Sequence, residues 1–189
     1  MQTRRCALCR KKIPQTDAII SSLKSFCSIE HLAEYAKTDR AKKYANGVVS
    51  KEKRIAKEKL KMRSDWQKDA QKAFNQYIRE RDWGKPCVSC GTSHGVTVHG
   101  GNSDAGHYRS RGSAPHLAFH SQNCHRQCVR CNRYHNGNIV EYRKELITRI
   151  GIEKLEALEQ DNRPRNYTIN DFQRIISICK RKIRRCQTR

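Results

Sequence analysis

Apolar residues recur at helical spacing in three separate stretches of this chain, and strongly polar, basic sequence fills much of the remainder. The first stretch, SDWQKDAQKAFNQYIRERDWG (64–84), puts Trp66, Ala70, Phe74, Tyr77 and Ile78 on one face, which predicts an amphipathic helix packed on a core. Ser64 followed by Gln67 has the spacing of a capping box, and Gly84 and Pro86 end the pattern. The second runs from Ile139 through Tyr142, Leu146, Ile147 and Ile150 to a closing Gly151, with its start at Asn138 or at the Cys-x-x-Cys knuckle before it. A short helix, IEKLEALEQ, and a loop, NRPRNYT, follow. The third stretch, capped by Thr168, buries Phe172, Ile175, Ile176, Cys179, Ile183 and Cys186. Cys179 and Cys186 lie seven residues apart and are read as core thiols. Between the first two stretches, GVTVHGGNSDAGHYRSRG contains two short strand-like pieces around a Gly-Gly turn.

Residues 37–63 carry no sustained apolar stripe, which predicts a linker or a solvated helix. That segment belongs to a wider charge excess: 40 Lys and Arg against 18 Asp and Glu, a formal net charge of +22. Such a balance points to a polyanionic partner. A mean hydropathy of −0.92 leaves too little apolar material for one large core, so one or two small domains with helical extensions are expected. No run approaches the roughly 18 apolar residues of a membrane span. The start, MQTRRCALCRKK, lacks the apolar segment of a secretory signal, which predicts a reducing cytoplasm, where ten cysteines favour zinc over disulfides.

The cysteines fall in two groups. Cys87/Cys90 and Cys128/Cys131 are Cys-x-x-Cys pairs whose four thiolates suit the corners of one tetrahedral structural zinc. Cys6 and Cys9 form another knuckle, and Cys27 with His31 on a helical turn completes a candidate Cys3His finger over residues 1–35. So short and polar a segment needs a metal or another staple to fold. The chain thus divides into a finger (1–35), a basic linker or exposed helix (36–63), a zinc core with its preceding helix (64–151) and a C-terminal helical segment (152–189).

Between Cys90 and Cys128, and just after Cys131, lie groups suited to phosphodiester hydrolysis. That reaction needs an activated water, neutralisation of the phosphate and stabilisation of the leaving oxygen. His107 is the candidate general base. Asp104 and Asn132 offer hard oxygens to Mg²⁺ or Mn²⁺, and Asn132 directly follows a zinc ligand that would fix it. Asn123 could orient the imidazole. The alternatives are a second-shell or surface role for His107 and a turn role for Asp104. His94, His99, His116 and His120 read as strand or turn residues, while His125 and His135 could reach phosphate or metal. Arg109 and Arg111 near the base, and Lys180, Arg181, Arg184 and Arg185 on the last helix, are candidate DNA contacts. The organisation is that of a ββα-metal nuclease, which predicts an α+β fold with a small zinc-stabilised, treble-clef-like core flanked by helices.

The runs RERDWGKPCVSCGT, SDAGHYRSRG, NCHRQCVRCN and GNIVEYRKELITRIG resemble the lambdoid phage NinG (Rap) family of recombination endonucleases. The resemblance covers residues from about 64 onward and, more loosely, the finger, where family members often carry Cys at the position of His31. It implies an HNH-type fold and cleavage of branched DNA such as Holliday junctions and D-loops, with Mg²⁺ or Mn²⁺. It also implies structural zinc on Cys87, Cys90, Cys128 and Cys131, His107 as base, Asn132 as metal ligand, and a phage setting with recombination proteins as possible partners. The rivals are a non-catalytic zinc-binding nucleic-acid module and an HNH nuclease acting on linear duplex. A junction with two-fold symmetry suits a homodimer, for which Phe172/Ile176/Ile183 and Trp66/Phe74/Tyr77 are candidate surfaces; intramolecular core is the alternative for each.

Overall fold

The computed structural model describes residues 2–22, 24–93 and 103–188. They form two compact units, Met1–Leu60 and Lys61–Arg189. The architecture is mixed α+β, with short two-stranded sheets beside longer helices. No helix among the described residues is long and apolar enough to cross a membrane.

In the first unit, β1 (Thr3–Arg5) pairs antiparallel with β2 (Lys12–Pro14), and β3 (Ile19–Ser21) with β4 (Lys24–Phe26). The helix α1 (Ile29–Lys37) starts at Ser28, whose hydroxyl accepts from the His31 N–H at 3.3 Å. Thr38 then caps α2 (Asp39–Lys59), accepting from the Ala41 N–H. Cys6, Phe26 and Tyr35 make the small core. No residue of α2 is buried, so the basic stretch is a solvated helix.

In the second unit, α3 (Arg63–Arg81) and α6 (Ile169–Gln187) lie against each other. Ala70, Ala73, Phe74 and Ile78 are buried on α3, and Phe172, Cys179 and Ile183 on α6. The two stripes considered as dimer surfaces are therefore used up inside one chain. Cys179 belongs to this core, as its spacing from Cys186 suggests. The start of α3 differs from the Ser64/Gln67 expectation: Met62 is the N-cap, its N–H donates to the Asp65 carboxylate at 3.1 Å, and Ser64 lies within the helix. Thr168 caps α6 with a reciprocal bond to Asp171.

The strand β5 (Asp104–His107) pairs antiparallel with β6 (Cys124–Gln127), placing His107 opposite Cys124 and Gly106 opposite His125. Gly106 must be glycine, because a Cβ there would overlap the Gln127 side chain. The earlier strand-like piece, with His94 and His99, lies outside the described residues. After β6 the second knuckle closes in one wide π-turn, Arg130–Tyr134, and α4 (Ile139–Ile150) begins only after Asn138. Tyr142 and Leu146 are buried on α4, whereas Ile139, expected on that face, is 40% exposed. Gly151 separates α4 from α5 (Ile152–Gln160). Buried Asp82 ties the end of α3 to β6 through Arg81 (2.6 Å) and the Arg126 N–H (3.1 Å). Burial pushes the Asp82 carboxyl up, but the neighbouring His125 ring and the bonds from Arg81 and the Arg126 N–H hold it well below the carboxylate range.

Candidate metal sites and polar cleft

Two cysteine-rich clusters form among the described residues, Cys6/Cys9/Cys27/His31 and Cys87/Cys90/Cys128/Cys131, each with its ligand atoms within 4.8 Å of one another. Zinc–sulfur bonds of about 2.3 Å at a tetrahedral angle put sulfurs about 3.8 Å apart. Cys9 and Cys27 Sγ stand 3.6 Å apart, and Cys90 and Cys128 Sγ 3.7 Å. His31 Nδ1 lies 3.0 Å from Cys27 Sγ and 3.8 Å from Cys6 Sγ. Backbone N–H groups of Cys128 and Cys131 donate to Cys87 and Cys128 sulfurs. Burial, then the neighbouring thiols, pushes Cys27 up to about 11. The four ligands cannot all shed protons without a cation among them, and zinc supplies that charge. Both donor sets fit zinc.

Beside the second cluster opens a polar cleft of about 830 Å³. Asp104, His107 and Asn132 all line it, with Arg79, Arg111 and Arg133 around them. The Asp104 carboxylate accepts from Asn132 Nδ2 at 2.8 Å and from Arg133 through Nε and an Nη at 2.8 and 2.9 Å. The Arg133 bond is the main cause of a lowered Asp104 pKa. Asp104 and Asn132 sit 28 residues apart in sequence and are brought together by β5 and the π-turn.

His107 Nε2 lies 2.9 Å from the Ala118 carbonyl. A carbonyl can only accept, so Nε2 carries the proton and Nδ1 is the basic nitrogen, 3.7 Å from Cys124 Sγ. Burial chiefly lowers the His107 pKa. Burial also raises the Cys124 thiol far above its ordinary range, so it stays protonated. Asn123 does not touch the imidazole. Fully buried, it accepts from the Arg109 N–H (2.9 Å) and donates to the Arg109 and Leu117 carbonyls, lacing the loop that follows His107.

Arg109 lines the cleft, and its guanidinium is held by the backbone of the second unit. Its guanidinium donates to the Leu158, Glu159 and Asp161 carbonyls and to Asn162, closing the C-terminus of α5. Arg111 is exposed on the cleft, and Lys180, Arg181, Arg184 and Arg185 are exposed along α6. His125 is buried and receives a bond from Arg81, His116 bonds the Asp161 carbonyl, His135 receives Arg130, and His120 is exposed. None of them enters a cysteine cluster. The residues that sequence reasoning missed are Arg79 and Arg133; Arg133 follows Asn132 directly, but in so basic a chain it looked like solvated charge.

The fold and its clusters define a small α+β protein with two possible zinc sites. The family model for the bacteriophage lambda NinG protein matches residues 1–188. The chain belongs to the NinG family. It is 44% identical over 131 residues to protein ninG of Escherichia phage lambda, covering 69% of this chain and 62% of that protein. The corresponding proteins of Escherichia phage 933W and Salmonella phage P22 are each 43% identical over 131 residues, with 63% and 62% of their lengths covered. The match thus spans about three fifths of these relatives. No solved structure matches.

Proposed function

We propose that this protein is a metal-dependent endodeoxyribonuclease of the ββα-metal (HNH) type that cuts branched DNA. The observation that carries the reading is the convergence, in one basic cleft, of an Nδ1-basic His107 with the Asp104–Asn132 pair. The strand pair β5–β6, followed by the turn of the cysteine cluster and α4, is compatible with a ββα frame and supports this reading. Asp104 and Asn132 fit Mg²⁺ or Mn²⁺, since a carboxylate and an amide oxygen are the donors such cations take. When bound there, the cation would neutralise the phosphate and stabilise the leaving oxygen. His107 Nδ1 takes the proton of the attacking water, while Ala118 fixes the ring's tautomer. Asn123 keeps the loop after His107 in register. Arg79 and Arg111 offer positive charge to the phosphates.

The preference for branches rests on the family membership and on a basic surface suited to backbone contact rather than base readout. A homodimer remains the assembly that suits a two-fold junction, formed by surfaces other than the α3 and α6 stripes. One observation favours the rival, a zinc-built module that only binds nucleic acid: Arg133 occupies both oxygens of Asp104.

Cleavage of a synthetic four-way junction and a matched linear duplex, with and without Mg²⁺, separates the readings. Junction-selective, Mg²⁺-dependent nicking that His107→Ala abolishes is expected. Tight binding without nicking in Mg²⁺ or Mn²⁺ would leave the binding module.

A further inference from the structure

The first unit carries a second basic cleft, whose wall also includes Cys6 of the first cysteine cluster. It measures about 320 Å³ and is lined by Arg4, Arg5, Arg10, Lys24 and Arg40, together with small neighbours and no carboxylate. Among the described residues no acidic side chain forms a salt bridge with any of these five. Arg4 Nε is buried without a hydrogen-bond partner among the described residues. Lys24 is held over the rings of Tyr35 and Tyr44, at 5.3 and 5.5 Å, contacts that keep its charge. Gathering five cations with no carboxylate among them costs free energy that the Cys6 thiolate offsets only in part, and an anion in the cleft would relieve the rest.

The position of Arg10 makes the same point independently. The chain contains two well-described knuckles of the form Cys-x-x-Cys followed by a left-handed residue. In one, Gly91 has φ +69 and its N–H donates to the Cys87 carbonyl at 3.0 Å. In the other, Arg10 has φ +67 and its N–H donates to the Cys6 carbonyl at 3.0 Å. The same turn is made with the same bond, but only the second knuckle uses a residue that is strained there. Glycine would suit the turn better, so the arginine is explained by its side chain, which lines the basic cleft.

We infer that Arg10, with Arg4, Arg5, Lys24 and Arg40, forms a cradle for the phosphodiester backbone of nucleic acid, making the finger a grip on DNA as well as a zinc module. An open cleft with cations from the knuckle, two strands and a helix suits successive phosphates of a chain better than one small anion. The inference rests on the nucleic-acid reading above, but not on catalysis.

The test is Arg10→Gly in the zinc-loaded full chain, binding a fluorescein-labelled four-way junction without added divalent cation. Zinc content should be unchanged and the melting temperature equal or higher, because the turn loses its strain. Junction affinity should fall roughly three- to tenfold, and the slope of log K against log salt should flatten by about one contact's worth. Arg40→Gln, which lies on α2 away from the knuckle, should move affinity and slope the same way. Wild-type affinity and slope in both variants, with zinc retained, overturn the cradle. So does displacement of DNA by millimolar inorganic phosphate beyond that of chloride at equal ionic strength, which would reassign the cleft to a free anion. A wild-type chain that binds no DNA overturns the cradle and the proposed function together. Binding without cleavage, weakened by Arg10→Gly, sinks the nuclease alone.

Discussion

At the scale of single residues, His107 and Arg133 set opposite conditions on the cleft. Burial holds the His107 pKa below its ordinary value of 6.5, so the ring is neutral at pH 7 and able to accept a proton. A general base is lost as pH falls through its folded-state pKa. The single-turnover rate should therefore be flat above neutrality, with its acid limb below 6.5. His107→Ala should cost roughly 10²–10⁴ in rate while junction affinity holds. An acid limb well above that value would remove His107 from the role. Arg133 acts on the other side of the cleft, where it neutralises the carboxylate a cation would use. Arg133 is 60% exposed, and exposed ion pairs contribute at most about 1 kcal/mol. Arg133→Gln should therefore tighten Mn²⁺ binding by up to about fivefold, measured by loss of the free-ion EPR signal. Unchanged Mn²⁺ affinity in Asp104→Asn would mean that Asp104 is not a cation ligand. The grouping of His107, Asp104 and Asn132 in one cleft was legible from residue type and spacing. The hold of Arg133 on Asp104 and the internal use of Arg109 were not, since both depend on tertiary partners 29 or more residues away in sequence.

Among the elements, the periodic helices were the most readable. Thr168 announces α6 because its own hydroxyl and Asp171 complete a local cap. The same local logic misplaced the start of α3, where Ser64/Gln67 and Met62/Asp65 compete two residues apart and the Asp65 carboxylate is the stronger acceptor for the N-cap N–H. The π-turn at Arg130–Tyr134 has no periodic signature, since the cysteine cluster dictates its path. These clusters stand in for missing core, most of all in the first unit, where the buried cluster is only Cys6, Phe26 and Tyr35. Metal analysis of protein kept from chelators should give about two zinc equivalents, following the two four-ligand sets. Cys27→Ser should leave about one, with loss of amide protection across β1–β4 while the α3–α6 core persists. Two equivalents in that variant would remove Cys27 from the ligand set, and one equivalent in the unmutated chain would remove the finger's metal.

For the whole molecule, a charge of +22 predicts a polyanionic partner but not which cations meet it. The structure separates two kinds of basic side chain that look alike in sequence. Arg109 is spent on carbonyls at the end of α5, whereas Lys180, Arg181, Arg184 and Arg185 stand exposed along one helix. Each Lys or Arg that meets a phosphate releases counterions and steepens the salt dependence by about 0.9 in log–log slope on duplex arms. Replacing the four α6 cations together by Gln should therefore weaken junction binding and flatten the slope by up to about 3.6, if every one makes a contact. The α6 core should be untouched, because Phe172, Cys179 and Ile183 lie on the buried side of the helix. Arg109→Gln should do the reverse, lowering the melting temperature by releasing the α5 end while leaving the slope within error of wild type. Fluorescence anisotropy of a labelled junction across a salt series, with melting curves on the same preparations, reads both quantities. A slope that responds to Arg109 and ignores the α6 quartet would place the DNA path on the cleft side of the second unit and away from its C-terminal helix.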